Sequence, residues 1–223
     1  MNIVEYADRD MLAIDLANVL AGELENSLFT HDRVSFAVPG GSTPGPIFDN
    51  LCAADLDWSR VHVMLTDERW VDADHAQSNA RLIRDRLLTS RAARADFTPY
   101  FTAGLTAAEA AEQLSEALTP ELPISVLVLG MGADMHTASL FPGAEGLDEA
   151  MAADAPHLCA IRVPGQEFAR ITLSAPVLEG ALSKHLVIYG EDKRAALEAA
   201  MKLPPTEAPV GAVLGEATVH WAA

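Results

Sequence analysis

Apolar and polar positions alternate between two periods along this chain. Near-continuous apolar runs stand at "RVSFAV" (33–38), "VHVML" (61–65), "ISVLVLG" (124–130), "ARITLS" (169–174) and "HLVIYG" (185–190). Runs of this length bounded by glycine, proline and charge predict strands covered on both faces. Between them the spacing turns helical. Residues 8–28 predict a helix with Leu12, Leu16, Val19 and Leu20 on one stripe, and "PIFDNLCAA" and "NARLIRDRLL" predict two more. Thr106 and Glu109 have capping-box spacing ahead of a helix whose Ala110, Leu114, Ala117 and Leu118 share a face. "GEDKRAALEAAM" predicts a helix with acids in its first turn, where the helix dipole favours them.

Strands alternating with helices predict an α/β fold: a mainly parallel, Rossmann-like sheet with helices on both faces. No repeat, low-complexity tract or linker interrupts the 223 residues, so 1–223 reads as a single domain. In such sheets ligands gather beyond the carboxyl ends of the strands. The segments after 33–38, 61–65, 124–129 and 184–189 carry the glycine and polar residues, which places four stretches at one crevice.

The net charge of −17 argues against a nucleic-acid partner, which needs a basic face. It leaves room for a small anion held by a local cluster, and makes each of the 15 Lys and Arg near a glycine turn worth weighing. No apolar run approaches the ~18–20 residues that cross a membrane. The first twenty residues carry Glu5, Asp8 and Asp10 and lack a secretory n-region. A cytoplasmic protein with two free, buried thiols, Cys52 and Cys159, is the expectation.

Four segments can carry chemistry. In "PGGSTPG" (39–45), Gly41 and its neighbour let backbone approach a ligand, and Ser42 or Thr43 is expected to cap the helix that follows. Such a turn suits an anion, although no Gly-Lys-Ser/Thr follows as in a P-loop. In "LTDERWVDADHAQSN" (65–79), Asp67, Glu68 and Arg69 sit at a strand end, where burial without partners is costly. His75 there reads as a surface histidine, and Ser78 and Asn79 as helix caps. In "LVLGMGADMHTASLFPG" (127–143), His136 follows a glycine turn with Asp134 two residues before it, which suits a general base and its support. Thr137 and Ser139 are weaker candidates as nucleophiles, since "TAS" is not the G-x-S-x-G elbow. Arg170 and Lys193 are the remaining cations close to strand ends.

Taken in order, "VPGGSTP" (38–44), "TDERWV" (66–71), "SN" (78–79), "GMGADMHTASLFPG" (130–143), "RITLSAPVL" (170–178), "GEDKR" (190–194) and "PVGAVL" (209–214) resemble the 6-phosphogluconolactonase family, within the larger group that includes glucosamine-6-phosphate deaminase. "DERW" and "HTASLFPG" set the chain apart from the deaminases, which show Asp-Glu-Tyr and "GHIAFNEP"-like residues there. The resemblance implies hydrolysis of 6-phospho-D-glucono-1,5-lactone, a small sugar-phosphate partner, and no metal, cofactor, nucleic acid or membrane. The expected roles are His136 as base, Asp134 and Asp67 holding His136 and Arg69, Arg69 at the oxyanion, and Gly41, Ser42, Thr43, Arg170 and Lys193 at the phosphate. Met135 stands where the family usually has glycine. Because Met takes a positive φ less cheaply, the turn is expected to run at an ordinary backbone angle or to seat His136 slightly differently.

Overall fold

A computed structural model describes all 223 residues. Ten strands and seven helices follow in chain order: β1 (Asn2–Glu5), α1 (Arg9–Thr30), β2 (Val34–Val38), α2 (Gly45–Leu51), β3 (Val61–Leu65), β4 (Asp67–Arg69), α3 (Asn79–Arg86), β5 (Asp96–Thr98), α4 (Ala107–Leu118), β6 (Val126–Gly130), α5 (Leu147–Met151), β7 (Leu158–Ile161), β8 (Arg170–Leu173), α6 (Ala175–Glu179), β9 (Ser183–Tyr189), α7 (Glu191–Ala200) and β10 (Thr218–Ala222).

The larger sheet has seven strands in the order β1-β10-β9-β6-β2-β3-β5, and every pair in it is parallel. β2 and β3 are buried at every position, which is why their sequences read as near-continuous apolar runs broken only by Ser35 and His62. Helix α1 opens with Asp8, whose carboxylate accepts the Met11 N–H at 2.8 Å. It buries Leu12, Leu16, Leu20, Leu24 and Leu28 and packs on α2, β2, β6 and β10. Val19 does not share that stripe; it turns to solvent, as does Ala117 on α4. The α4 capping box forms as the spacing requires, with Thr106 and Glu109 satisfying each other's backbone N–H. One contiguous core of 56 buried residues links the elements, and it includes both free cysteines.

The sequence pattern did not separate a second sheet. β4, β8 and β7 form a three-stranded antiparallel layer, so Arg170 belongs to a different sheet from β6 and β9. Asp67, Glu68 and Arg69 were expected at the end of the strand before them, and they form a separate strand, β4. Its pairing with β8 exists only in the tertiary structure. β1 and β10 were also not expected; β10 becomes a strand by inserting between β1 and β9.

Candidate active site

A cavity of ≈ 360 Å³ opens beyond the carboxyl ends of β2, β6 and β9. Its wall includes the 39–44 loop after β2, Asp67 and Arg69 of β4, His136 after β6, Arg170 of β8 and Lys193 of α7. Every site residue expected from the sequence lines it except Asp134, which stands behind His136. The crevice rule for parallel sheets therefore pointed to this cavity, while the antiparallel layer supplies three of its charges, Asp67, Arg69 and Arg170.

After β6 the chain turns so that Asp134 Oδ1 meets His136 Nδ1 at 2.5 Å. Nδ1 is thereby engaged, and Nε2 has no partner within the protein. The turn needs glycine at 132: a Cβ there would lie 2.0 Å from His136 Nδ1 and 2.3 Å from Asp134 Oδ1. Met135 takes φ 65°, so the expectation of an ordinary backbone angle is corrected. The strained residue is held by its neighbours: Met135 N–H donates to Gly132 O at 3.1 Å, and Val210 N–H donates to Met135 O at 3.1 Å. The His136 ring stacks on Phe141, with centroids 3.8 Å apart and planes 22° off parallel. Burial lowers the His136 pKa below its ordinary value; Asp134 and Asp67 oppose the shift, and Arg170 adds to it. Burial works to raise the Asp134 carboxyl, but the His136 hydrogen bond and charge outweigh it and hold that pKa down.

Asp67 does not hold Arg69, as the sequence had suggested. It faces Arg170. Ser139 Oγ donates to Asp67 Oδ2 at 2.6 Å, Arg170 NH1 donates to Ser139 Oγ at 3.2 Å, and Arg170 NH1 lies 3.6 Å from Asp67 Oδ2. All three residues are buried. Burial lowers the Arg170 pKa, and Asp67 resists that shift. Arg170 Nε also donates to Gln166 Oε1 at 3.0 Å. With Ser139 spoken for, and Thr137 Oγ1 donating to Gly130 O at 2.8 Å, neither hydroxyl is free to serve as a nucleophile.

Arg69 has no carboxylate partner. NH1 donates to Gln77 O at 3.0 Å and Asn79 Oδ1 at 3.1 Å, and its Nε is buried without an acceptor. Strand geometry explains the division of labour in "DER": Asp67 and Arg69 point to one face of β4 and Glu68 to the other. Glu68 is fully buried, and its carboxylate accepts the N–H groups of Arg69, Asn79 and Ala80 and the Ser78 hydroxyl. It thus caps the start of α3 together with Ser78, whose Oγ accepts the Arg81 N–H. Burial raises the Glu68 pKa against those three N–H bonds. Asn79, expected as a cap, is instead a bridge: its Nδ2 donates to Asp67 O at 2.8 Å, and its side chain fills the space a Cβ on Gly40 would occupy. Glu68, Asn79, Gln166 and Phe141 are the site residues that sequence reasoning missed or misassigned. Glu68 carried only the signal of a charge at a strand end, and Asn79 that of an amide at a helix start.

Neither Ser42 nor Thr43 caps α2, contrary to expectation. Pro44 is the N-cap and supplies no side-chain bond. Both hydroxyls are left without a partner in the protein, at the cavity wall beside Gly41. Arg69 and Asn79 share a second hollow with Gly41 and Ser42. Lys193 Nζ donates to Met131 O, and burial lowers its pKa while Asp134 opposes. Gln77, which accepts from Arg69, is flanked by His75, whose ring meets Phe168 edge-on at 5.4 Å and stays on the surface.

The chain matches the family model described as glucosamine-6-phosphate isomerases/6-phosphogluconolactonase over residues 7–221. It is 41% identical over 210 residues to the 6-phosphogluconolactonase of Pseudomonas aeruginosa, covering 92% of this chain and 88% of that one. It is 37% identical over 229 residues to that of Rhizobium meliloti, covering 99% and 98%. The crystal structure of a 6-phosphogluconolactonase from Shewanella baltica superposes with a TM-score of 0.96 at 33% identity, over 100% of this chain and 98% of that one. By its sequence, its fold and the residues gathered at its cavity, the chain belongs to the glucosamine-6-phosphate isomerase/6-phosphogluconolactonase family.

Proposed function

We propose that this protein is a 6-phosphogluconolactonase that hydrolyses 6-phospho-D-glucono-1,5-lactone to 6-phosphogluconate, with His136 as general base and residues 1–223 acting as one unit. The relatives in Pseudomonas aeruginosa and Rhizobium meliloti that carry this activity in their names support the reaction. The observation that carries the mechanism is His136, anchored at Nδ1 by Asp134 with Nε2 free at a cavity it shares with Arg170 and the Gly41–Thr43 loop.

In the proposed reaction Nε2 takes a proton from water as the water oxygen bonds to the lactone carbonyl carbon. Asp134 fixes the tautomer and supports the imidazolium that forms. The tetrahedral oxyanion collapses, the bond from that carbon to the ring oxygen breaks, and His136 returns the proton to the departing oxygen. General acid–base catalysis of this kind is worth ~10²–10⁴-fold.

The geometry favours a division of cations different from the one the sequence suggested. Arg170 acts on His136 electrostatically and touches the same aromatic ring, so it is assigned to the oxyanion. Arg69 shares its hollow with Gly41 and Ser42, so it is assigned to the phosphate with that loop and the Thr43 hydroxyl. Lys193, which feels the charge of Asp134, adds positive potential at the reacting end. Docking the phosphate spends remote binding energy on orienting the ring.

Purified protein assayed on freshly made lactone, corrected for spontaneous hydrolysis, tests this. His136→Asn is expected to lose at least ~10²-fold in kcat/KM; an unchanged value would sink the base assignment. Equal kcat/KM on the phosphorylated lactone and on plain gluconolactone would remove the phosphate site. Ammonia release from glucosamine 6-phosphate would point instead to the deaminase branch of the family.

A further inference from the structure

Phe141 is 6% exposed, yet it is absent from the contiguous core that takes in its neighbour Leu140. Its ring spends its contacts on the site. His136 stacks on it at 3.8 Å, and Arg170 Cζ lies 5.0 Å from its centroid. The backbone that carries it is pinned on either side: Ser139 N–H donates to Thr172 Oγ1 at 3.2 Å, Leu140 N–H to Thr137 O at 3.0 Å, and Ala144 N–H to Phe141 O at 3.1 Å. A large aromatic held this firmly against two polar site residues is not explained by core packing alone.

We infer that Phe141 is a positioning residue for the proposed reaction, holding the imidazole of His136 in one plane and covering one of its faces from water so that the neutral base is favoured. The inference rests on the reading of His136 as general base. A lone aromatic ring would attract an imidazolium, because a cation over a ring face is stabilised. Here Arg170 already lies over that ring, and a second cation on the same π system meets its charge. The ring also excludes water from one face of the imidazole, which disfavours the charged form. The charged groups facing His136 are Asp134 on its own turn, Asp67 on β4 and Arg170 on β8, with Lys193 on α7 beyond Asp134. The carboxylates raise the His136 pKa, and burial and Arg170 lower it, the latter two prevailing. Stacking also restricts rotation about the ring bond that the Asp134 contact alone leaves loose. Nε2 is thereby kept aimed at the cavity, where a misplacement of ~1 Å costs about 10²-fold.

The test is the pH profile of kcat/KM between about pH 5 and 7.5 for Phe141→Leu, Phe141→Met and Phe141→Tyr. Leu and Met hydrate the imidazole face that the ring covers, which raises the His136 pKa; the lost π contact, already shared with Arg170, opposes this only weakly. The acid limb is therefore expected to move up by about 0.5 pH unit or more, with kcat down ~10-fold or more and KM changed less. Phe141→Tyr keeps the face and is expected to keep the limb. A merely structural role would lower thermal stability and the active fraction in Leu and Met but leave the limb in place, and that result overturns the inference. If Leu does not fold, Met is judged by the same criterion, and a limb that moves equally in Tyr also overturns it. Loss of activity in His136→Asn with an unmoved limb in the Phe141 variants would reject only the role of Phe141. Full activity in His136→Asn would reject the base assignment and the inference with it.

Discussion

Arg69 and Arg170 are direct cross-strand partners on β4 and β8, two like charges side by side at the cavity wall. Such pairs are unfavourable unless something compensates. Asp67 and Ser139 compensate Arg170, but nothing acidic compensates Arg69. The pair is therefore primed for an anion.

Binding of 6-phosphogluconate is expected to raise the melting temperature, by an amount equivalent to about 2.7 kcal/mol at one hundred times Kd. Arg69→Gln should remove most of that shift and raise KM about 10-fold or more, while Arg170→Gln should act mainly on kcat. Thermal melts with and without ligand check the first expectation and steady-state kinetics the second. An undiminished thermal shift in Arg69→Gln would place the phosphate elsewhere.

Asp134→Asn should move the acid limb of the kcat/KM profile in the opposite direction from Phe141→Leu. Asp134 raises the His136 pKa, so its loss lowers that pKa and carries the limb to more acid pH. The plateau should fall about 10–10³-fold because the tautomer and aim of the ring are no longer enforced. A limb that moves upward would contradict the electrostatics described above.

Ser139→Ala separates support from nucleophilic attack. The hydroxyl bridges a buried carboxylate and a buried guanidinium, so its removal should cost about 1–3 kcal/mol of stability by chemical denaturation. Activity of the folded fraction is expected to stay within about 10-fold of wild type. Collapse of kcat to the level of His136→Asn in a stable Ser139→Ala protein would restore serine as the nucleophile.

Met135 carries the strain of the turn at φ 65°. Glycine accepts that angle freely but loses the packing of a half-buried side chain, so Met135→Gly should stay within about 1 kcal/mol of wild type. Met135→Val places a β-branched residue in the same well and should cost clearly more, about 1–2 kcal/mol, and lower kcat by displacing His136. Denaturant melts in which Val equals Gly would mean that the turn relaxes to another angle.

Much of this molecule was legible in one dimension. Period and length identified the major parallel strands, because a strand buried on both faces is mostly apolar. The capping box at Thr106 and Glu109 was readable because its bonds span one helical turn. The crevice followed from where the glycine and polar residues fall after strands, and so did His136, Arg69, Arg170 and Lys193 as candidates. What the tertiary structure alone decided are relationships between residues distant in sequence. The pairing of β4 with β8 gives Asp67 to Arg170 instead of Arg69, and packing leaves Ser42 and Thr43 uncapped and facing the cavity. It also brings Phe141 under His136 and Arg170 together. The physical reason is range. Period and capping act over a few residues of chain, whereas Ser139 meets Arg170 across 31 residues and Asp67 across 72, at distances that only the packed sheets determine.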